Sequence, residues 1–589
     1  MTEPIEPVSE LEPTTEAVPT EAVELIPADG APNGPIANPR RRRLRWAIAA
    51  VATVVVVAGS TLGFAVLSSA RSSSQVLPWA PSDAIVYAEI RADMPGDQRA
   101  NLLAFLSKFP GFADQTSFDA KADDGLNRLV RKLTNDKHDF STEIKPWFGG
   151  QLGVSVEGSS PTSPSALLAI SVRDVAGATA WLKSISPSDA THETVGGIDL
   201  TESAGSSGKA SVAVAIDGSV MLAGTIDSVK SAIGRGPNGG LADNAGFKAA
   251  TAALGGDELG SLYMDVKGYF NWFTKLESGL LAQASPLPAM PTIDTALLPG
   301  WVAVRVRAES DHLVLDAALP VTGSATTGAD SHASALAPSL PSTTVLQFEA
   351  HSVGTVIKNT LTQLEVQPGG LTVAEVDKLA KYVGGVDKAV GWLGDADVVV
   401  THDPAGFNGG LVAQTKDPTA SADLLTSIKN LVTLSGGSAG VTVRTETYAG
   451  QTITLIGGDL GQLGGSAASG MTSALGTVEL AVAQTDKLVI AGVGDGFVKA
   501  VLDTKAGSSL ADQPGYQRAI NLAGANNGEQ MFVDLTAIRS AVEALAAKST
   551  DIAAYQSNVK PYLVPIDSLA LSVTLSNGVV DERLVLVVK

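Results

Sequence analysis

The chain has 589 residues, 44% of them hydrophobic and 17% charged, with 60 Gly, 30 Pro and no Cys. This length holds about three or four domains of roughly 150 residues each. The net charge of −20 excludes nonspecific nucleic-acid binding, which runs on basic patches. The absence of cysteine excludes disulfides, iron–sulfur clusters, thiolate zinc sites and cysteine nucleophiles, but not an extracellular setting, because a core this large needs no covalent staples.

Residues 1–39 carry eight acidic side chains and no basic or aromatic ones. Such a stretch buries too little apolar surface to offset its ordering entropy, so 1–45 is predicted as a disordered acidic tail ending in an Arg cluster. Thr14, Thr15 and Thr20, set among Glu and Pro, are candidate phosphorylation sites whose added charge would create a docking point.

Arg40, Arg41, Arg42, Arg43 and Arg45 then precede Trp46, and no charge follows until Arg71. As a helix, 46–70 would span roughly 37 Å, more than the ~30 Å hydrocarbon core. The segment is therefore read as one transmembrane helix with Trp46 at the interface. Five arginines against one predict a cytoplasmic N-terminus and an exported remainder. Cleavage near Ser68 and Ala70 is the competing reading; the apolar stretch and the segment before it are long for a signal peptide. The tail carries −3 and the remainder −17, so the acidic excess belongs to the exported part, where it favours solubility.

The exported part is self-similar. Leu241-Ala242-Asp243 recurs as Leu510-Ala511-Asp512, and Leu262–Val266 matches Met531–Leu535, both at an offset of 269. Pro81–Glu89 resembles Pro341–Glu349, and Trp147-Phe148-Gly149 resembles Trp392-Leu393-Gly394. The reading is two tandem α+β units with largely antiparallel sheets, 76–320 and 338–589, joined by a flexible Gly/Ser/Ala/Thr-rich linker at 321–337.

In chain order, the first unit alternates as a strand at Ala84–Arg91 and shows helical spacing at Asp97–Phe109 and Leu126–Leu133. A hairpin is predicted from Leu152–Glu157 and Ala166–Arg173, then a helix at Ala176–Ile185. Asp217-Gly218 marks a tight hairpin turn. A helix at Asp227–Ile233, a strand at Ser261–Val266 and a hairpin of Trp301–Ala308 with His312–Leu319 complete the unit. Direct hairpins imply antiparallel pairing.

Few residues point to chemistry. Gly436–Gly440 fits G-x-S-x-G around Ser438, but lacks the strand-before, helix-after setting of a nucleophile elbow. Gly492–Gly496 follows a strand and precedes a helix, yet its last Gly is one residue early for a dinucleotide turn, so a tight strand-to-helix connection is expected. Gly205–Lys209 lacks P-loop spacing. None of the six histidines pairs at i, i+4. Asp395 and Asp397 read as a surface turn, with weak cation binding as the alternative. The acids shared between units, Glu89/Glu349, Asp243/Asp512 and Asp265/Asp534, read as structural, with Asp243 and Asp512 as helix N-caps. No catalytic, cofactor or metal residues are assigned.

The Arg40–Arg45 cluster, the apolar segment, Leu77-Pro78, Ser82–Glu89, Lys108–Gly111 and Trp147–Gly150 together resemble a family of bacterial single-pass membrane proteins. That family is common in high-GC Gram-positive bacteria and is classed as a domain of unknown function. The resemblance implies an exported domain and carries no catalytic residues. The expected function is a noncatalytic, membrane-anchored envelope protein that acts as a binding module or scaffold for an envelope protein partner. The alternatives are a lipid or hydrophobic-ligand carrier and an envelope hydrolase using Ser438 or a nonlocal carboxylate cluster.

Overall fold

The computed structural model describes residues 73–589 apart from 115–117, 135, 159–164, 204–211, 282–294, 296–297, 323–329, 366–383, 405, 437–440, 459–477 and 548–551. The first half contributes β1 (Ala84–Arg91), β2 (Phe148–Glu157), β3 (Ser165–Val172), β4 (Thr191–Val195), β5 (Ile198–Ser203), β6 (Val212–Asp217), β7 (Val220–Thr225), β8 (Gly260–Asp265), β9 (Trp301–Ala308) and β10 (His312–Pro320). The second half contributes β11 (Thr344–Ala350), β12 (Leu393–Asp403), β13 (Gly406–Thr415), β14 (Thr442–Tyr448), β15 (Gln451–Gly458), β16 (Val478–Gln484), β17 (Leu488–Val493), β18 (Glu529–Asp534), β19 (Ile566–Ser576) and β20 (Val579–Val588).

Every pairing is antiparallel. Strands follow one another as β4-β5-β6-β7-β3-β2-β1-β8-β9-β10 in the first half. Then β10 pairs with β20, and the second half continues as β20-β19-β18-β11-β12-β13-β17-β16-β15-β14.

The expectation of two tandem units is thereby corrected: the described residues form one continuous 20-stranded sheet with helices. The cause is the junction. Strand β10 runs in register with β20 from His312↔Val587 to Pro320↔Val579. Buried Asp316 binds Arg305 and Arg583, each at 2.7 Å, and Arg518 reaches Asp311 at 2.6 Å. An edge strand left bare would be a template for other chains; here each half covers the other's edge. The fold expectation also included a membrane-spanning helix. Among the described residues no helix is long and apolar enough to cross a membrane. Segment 46–70 lies outside those residues.

Local signals explain the elements. Gly218 takes φ 57° in the turn joining β6 to β7, as the Asp-Gly pair demands. Helix Ile226–Arg235 starts at Thr225, whose hydroxyl accepts from the Ser228 amide, and buries Val229, Ala232 and Ile233. Helix Pro514–Ala523 buries Tyr516, Ala519, Ile520 and Ala523 at helical spacing. Of the segment read as a linker, 323–329 lie outside the described residues; Leu336 and Ala337 are buried in the second-half core. That core is a single cluster running from Leu340 through Val399, Ile453 and Ile490 to Val587. The first-half core is divided, with one cluster around Leu200 and Leu222 and another around Phe247 and Tyr263.

Candidate functional site

Strand alternation places Tyr87, Glu89 and Arg91 of β1 on one face, and Gln347, Glu349 and His351 on the corresponding face at β11. All six are buried. A row of polar side chains inside a sheet is costly unless each finds a partner, so the partners define the site.

In the first half, the Tyr87 hydroxyl donates to Glu89 Oε2 at 2.6 Å. Glu89 Oε1 has no hydrogen-bond partner, and Arg91 Nε stands 3.9 Å from it. That guanidinium is engaged with Asp93 at 2.8 and 3.0 Å, and Gln151 donates to the same carboxylate at 2.9 Å. Burial therefore dominates at Glu89, pushing its carboxyl up to about 7. Burial also raises Glu258, and holds Tyr263 up to about 12. These groups line a cavity of about 300 Å³ whose apolar walls include Leu77, Phe247 and Leu254. One exchange that leaves room is Ser261 opposite Glu89, where the second half has Gln530 opposite Glu349.

In the second half, Gln530 and Gln347 fill that space. Gln347 donates to Glu349 Oε2 at 3.0 Å and to Asp397 Oδ2 at 3.1 Å, and Gln530 donates to Tyr516 at 2.8 Å. Asp397 takes the place opposite Glu349 that Gly153 holds opposite Glu89. A Cβ at Gly153 would meet the Tyr87 hydroxyl at 3.1 Å, so the first half carries Tyr87 with Gly153 and the second carries the shorter Gln347 with Asp397. Burial, with Glu349 beside it, raises the Asp397 carboxyl well above the carboxylate range. Where the first half has Arg91, the second has His351, stacked on His332 with ring centroids 3.9 Å apart. His332, His351 and Asp395 offer ligand atoms that all lie within 4.8 Å of one another.

The residues singled out from the sequence fare unequally. Arg40, Arg41, Arg42, Arg43, Arg45, Trp46, Thr14, Thr15, Thr20 and Ser438 lie outside the described residues. Asp395 and Asp397 are not a surface turn. They lie in β12 at 3% and 0% exposure, while Val398 between Asp397 and Val399 is 50% exposed. The apolar residue faces out and the acids face in, which inverts the rule used to read the strand. Asp243 is not an N-cap: it ends a short 3-10 turn, and Asn244 caps helix Ala245–Leu254 by accepting from the Gly246 and Phe247 amides. Asp512 instead closes a capping box with Ser509 one turn before helix Pro514–Ala523. Asp265 and Asp534 accept from the Gly268 and Ala537 amides at helix starts. The Gly492–Gly496 turn joins β17 to helix Asp495–Leu502, with Gly494 at φ 73°. The site residues that sequence reasoning missed are His332 and His351; the signal available was His351 two places after Glu349, matching Arg91 after Glu89.

With this geometry established, comparison with known proteins places the chain. A family model described as a protein of unknown function, DUF3352, matches residues 48–369 and 391–579. The chain belongs to that family. No curated protein matches it. Crystal forms IV and III of TP0453 align over 42% and 43% of this chain and 81% and 82% of theirs, at 14% identity and TM-scores of 0.24 and 0.23. Likenesses at that level carry no information on shared fold or function.

Proposed function

We propose that this DUF3352 protein is a noncatalytic binding protein of the bacterial envelope, held at the cytoplasmic membrane through its N-terminal region, with the sheet domain exported. The arginine asymmetry around 46–70 supports the placement. The binding role rests on the cavity beside Glu89. At about 300 Å³ it stands at the lower end of the range for small-molecule sites, with apolar walls and few polar groups. In its protonated form, which burial favours, the Glu89 carboxyl donates a hydrogen bond where a carboxylate would repel an oxygen-bearing ligand. The ligand class is therefore a small, partly apolar molecule with a hydrogen-bond acceptor. This size favours a small ligand over a long-chain lipid cargo.

The test is native mass spectrometry of the full chain taken from its own membrane. A co-purified small-molecule mass, lost in Leu254→Trp, which fills the cavity from its rim, supports the reading. The same mass retained in Leu254→Trp, or a ligand converted to product on the protein, overturns it.

A further inference from the structure

The polar cluster of the second half gathers three buried acids and a buried imidazole, with no Lys or Arg among the groups described around them. Glu349 and Asp397 are fully buried and Asp395 is 3% exposed. Glu349 Oε1 and Asp397 Oδ1 have no hydrogen-bond partner. His351 is 1% exposed, and neither ring nitrogen makes a hydrogen bond. Its Nε2 lies 3.4 Å from Glu349 Oε1. A buried imidazole whose ring nitrogens make no hydrogen bond, with Nε2 beside the bare Glu349 Oε1, is a donor set that a cation would satisfy.

We propose that His332, His351 and Asp395, with Glu349 beside them, form a binding site for one divalent first-row transition ion, with Zn²⁺ the best match. Two imidazoles and a carboxylate are the donor set such ions take, whereas Mg²⁺ and Ca²⁺ prefer oxygen ligands throughout. Outer contacts orient these ligands. His332 Nδ1 donates to the Ala333 carbonyl at 2.9 Å, which leaves the Nε2 lone pair free, 3.6 Å from Asp395 Oδ2. Asp395 Oδ1 accepts from the Ser352 amide at 2.9 Å, which leaves Oδ2 for the ion. Such second contacts fix tautomer and orientation in metal sites. The rings, now parallel within 4°, tilt apart to aim both lone pairs at one point. His332 is the partner with room to turn, since its side chain is 39% exposed.

Among the described residues of the first half no such site occurs, and the reason is on the same strand position. Arg91 stands where His351 stands, already engaged with Asp93. In the first half a guanidinium fixed by Asp93 stands beside Glu89; in the second, Glu349 and Asp395 are left to an exchangeable ion.

The experiment is equilibrium dialysis of the purified full chain against ZnCl₂, read with the visible absorption of Co²⁺ as a surrogate. One equivalent of Zn²⁺ is expected, with a Co²⁺ spectrum of nitrogen and oxygen ligation. His351→Gln and His332→Ala each weaken binding at least tenfold, and Glu89→Gln leaves it unchanged. His332 is partly exposed, so His332→Ala keeps the test valid if His351→Gln fails to fold. Unchanged zinc binding in His332→Ala, no bound equivalent in the wild type, or equal competition by Mg²⁺ would each overturn the site.

Discussion

The two halves pair their strands in the same order, yet they treat the same buried acid differently. At Glu89 the second-layer residues are Tyr87, Arg91, Gly153 and Ser261; at Glu349 they are Gln347, His351, Asp397 and Gln530. The aromatic pair beneath trades its hydroxyl as well. Phe247 meets Tyr263 in the first half and Tyr516 meets Phe532 in the second, each edge-to-face at 5.2 Å. The scaffold keeps one acid and one aromatic pair, while four neighbours decide between a small-molecule cavity and a filled, ion-seeking cluster. The lesson is that side-chain volume at the positions opposite the acid, Ser261 and Gly153 against Gln530 and Asp397, goes with the open and the filled outcome.

The sharpest way to break the comparison is through the cores. Trp147 is 2% exposed, packs on Trp181 at 5.1 Å and donates to the Glu143 carbonyl, whereas its counterpart Trp392 is only half-buried. Trp147→Ala is expected to cost about 3–5 kcal/mol in urea unfolding, and Trp392→Ala clearly less. Equal costs would mean that the two halves bury this position alike.

The junction comes next. Asp316→Ala leaves Arg305, 6% exposed, without its buried partner, and is expected to cost about 3 kcal/mol. If the halves are one cooperative sheet, near- and far-side probes lose stability together; a loss confined to one half would show that β10–β20 pairing does not couple them.

An effect of similar size but confined to a pH window follows from Glu89, whose folded carboxyl sits at about 7 against an ordinary 4.5. The folded state binds this proton more tightly, so its stability is fullest below about pH 4.5, falls as pH rises through that window, and levels off above 7. The total is about 3 kcal/mol, taking 1.36 kcal/mol per pKa unit. Glu89→Gln removes that fall, so it gains on the wild type between pH 5 and pH 8. An unchanged pH slope in Glu89→Gln would locate the proton elsewhere.

The smallest effect should be common to both halves. Asp265 and Asp534 cap helices at matched positions, and each Ala substitution is expected to cost about 1 kcal/mol in thermal or denaturant unfolding. A large difference between them would show that the matched caps carry different loads.

Much of this fold was legible in the sequence. Alternation found β1, the Asp217-Gly218 turn found the β6–β7 hairpin, and helical spacing found Val175–Ile185. The hairpin of β4 and β5 was missed. Its strands are short and polar, Thr191–Val195 and Ile198–Ser203, and its Gly196-Gly197 turn carries the only local signal. The continuity of the sheet was not legible, because no residue pattern announces which edge pairs with which across 260 residues of chain. The site was half legible. Glu89 and Glu349 stood out by their matched spacing, but the sequence assigns acids to the surface, and only the register shows Asp397 facing Glu349 from inside. His332 joins His351 through an isolated bridge between residues 332 and 527, a contact that has no sequence period at all.

The central claim is that matched acids hold a proton in one half and face an ion in the other. Infrared difference spectroscopy of the full chain at pH 6, with and without one equivalent of Zn²⁺, tests both sides at once. The protonated-carboxyl absorption is expected to lose its Glu89 component in Glu89→Gln while the Asp397 component stays, with the Glu89 component indifferent to zinc, and a zinc-induced carboxylate shift is expected to disappear in His332→Ala. A protonated band surviving in Glu89→Gln at full intensity, or a carboxylate shift surviving in His332→Ala, would contradict it.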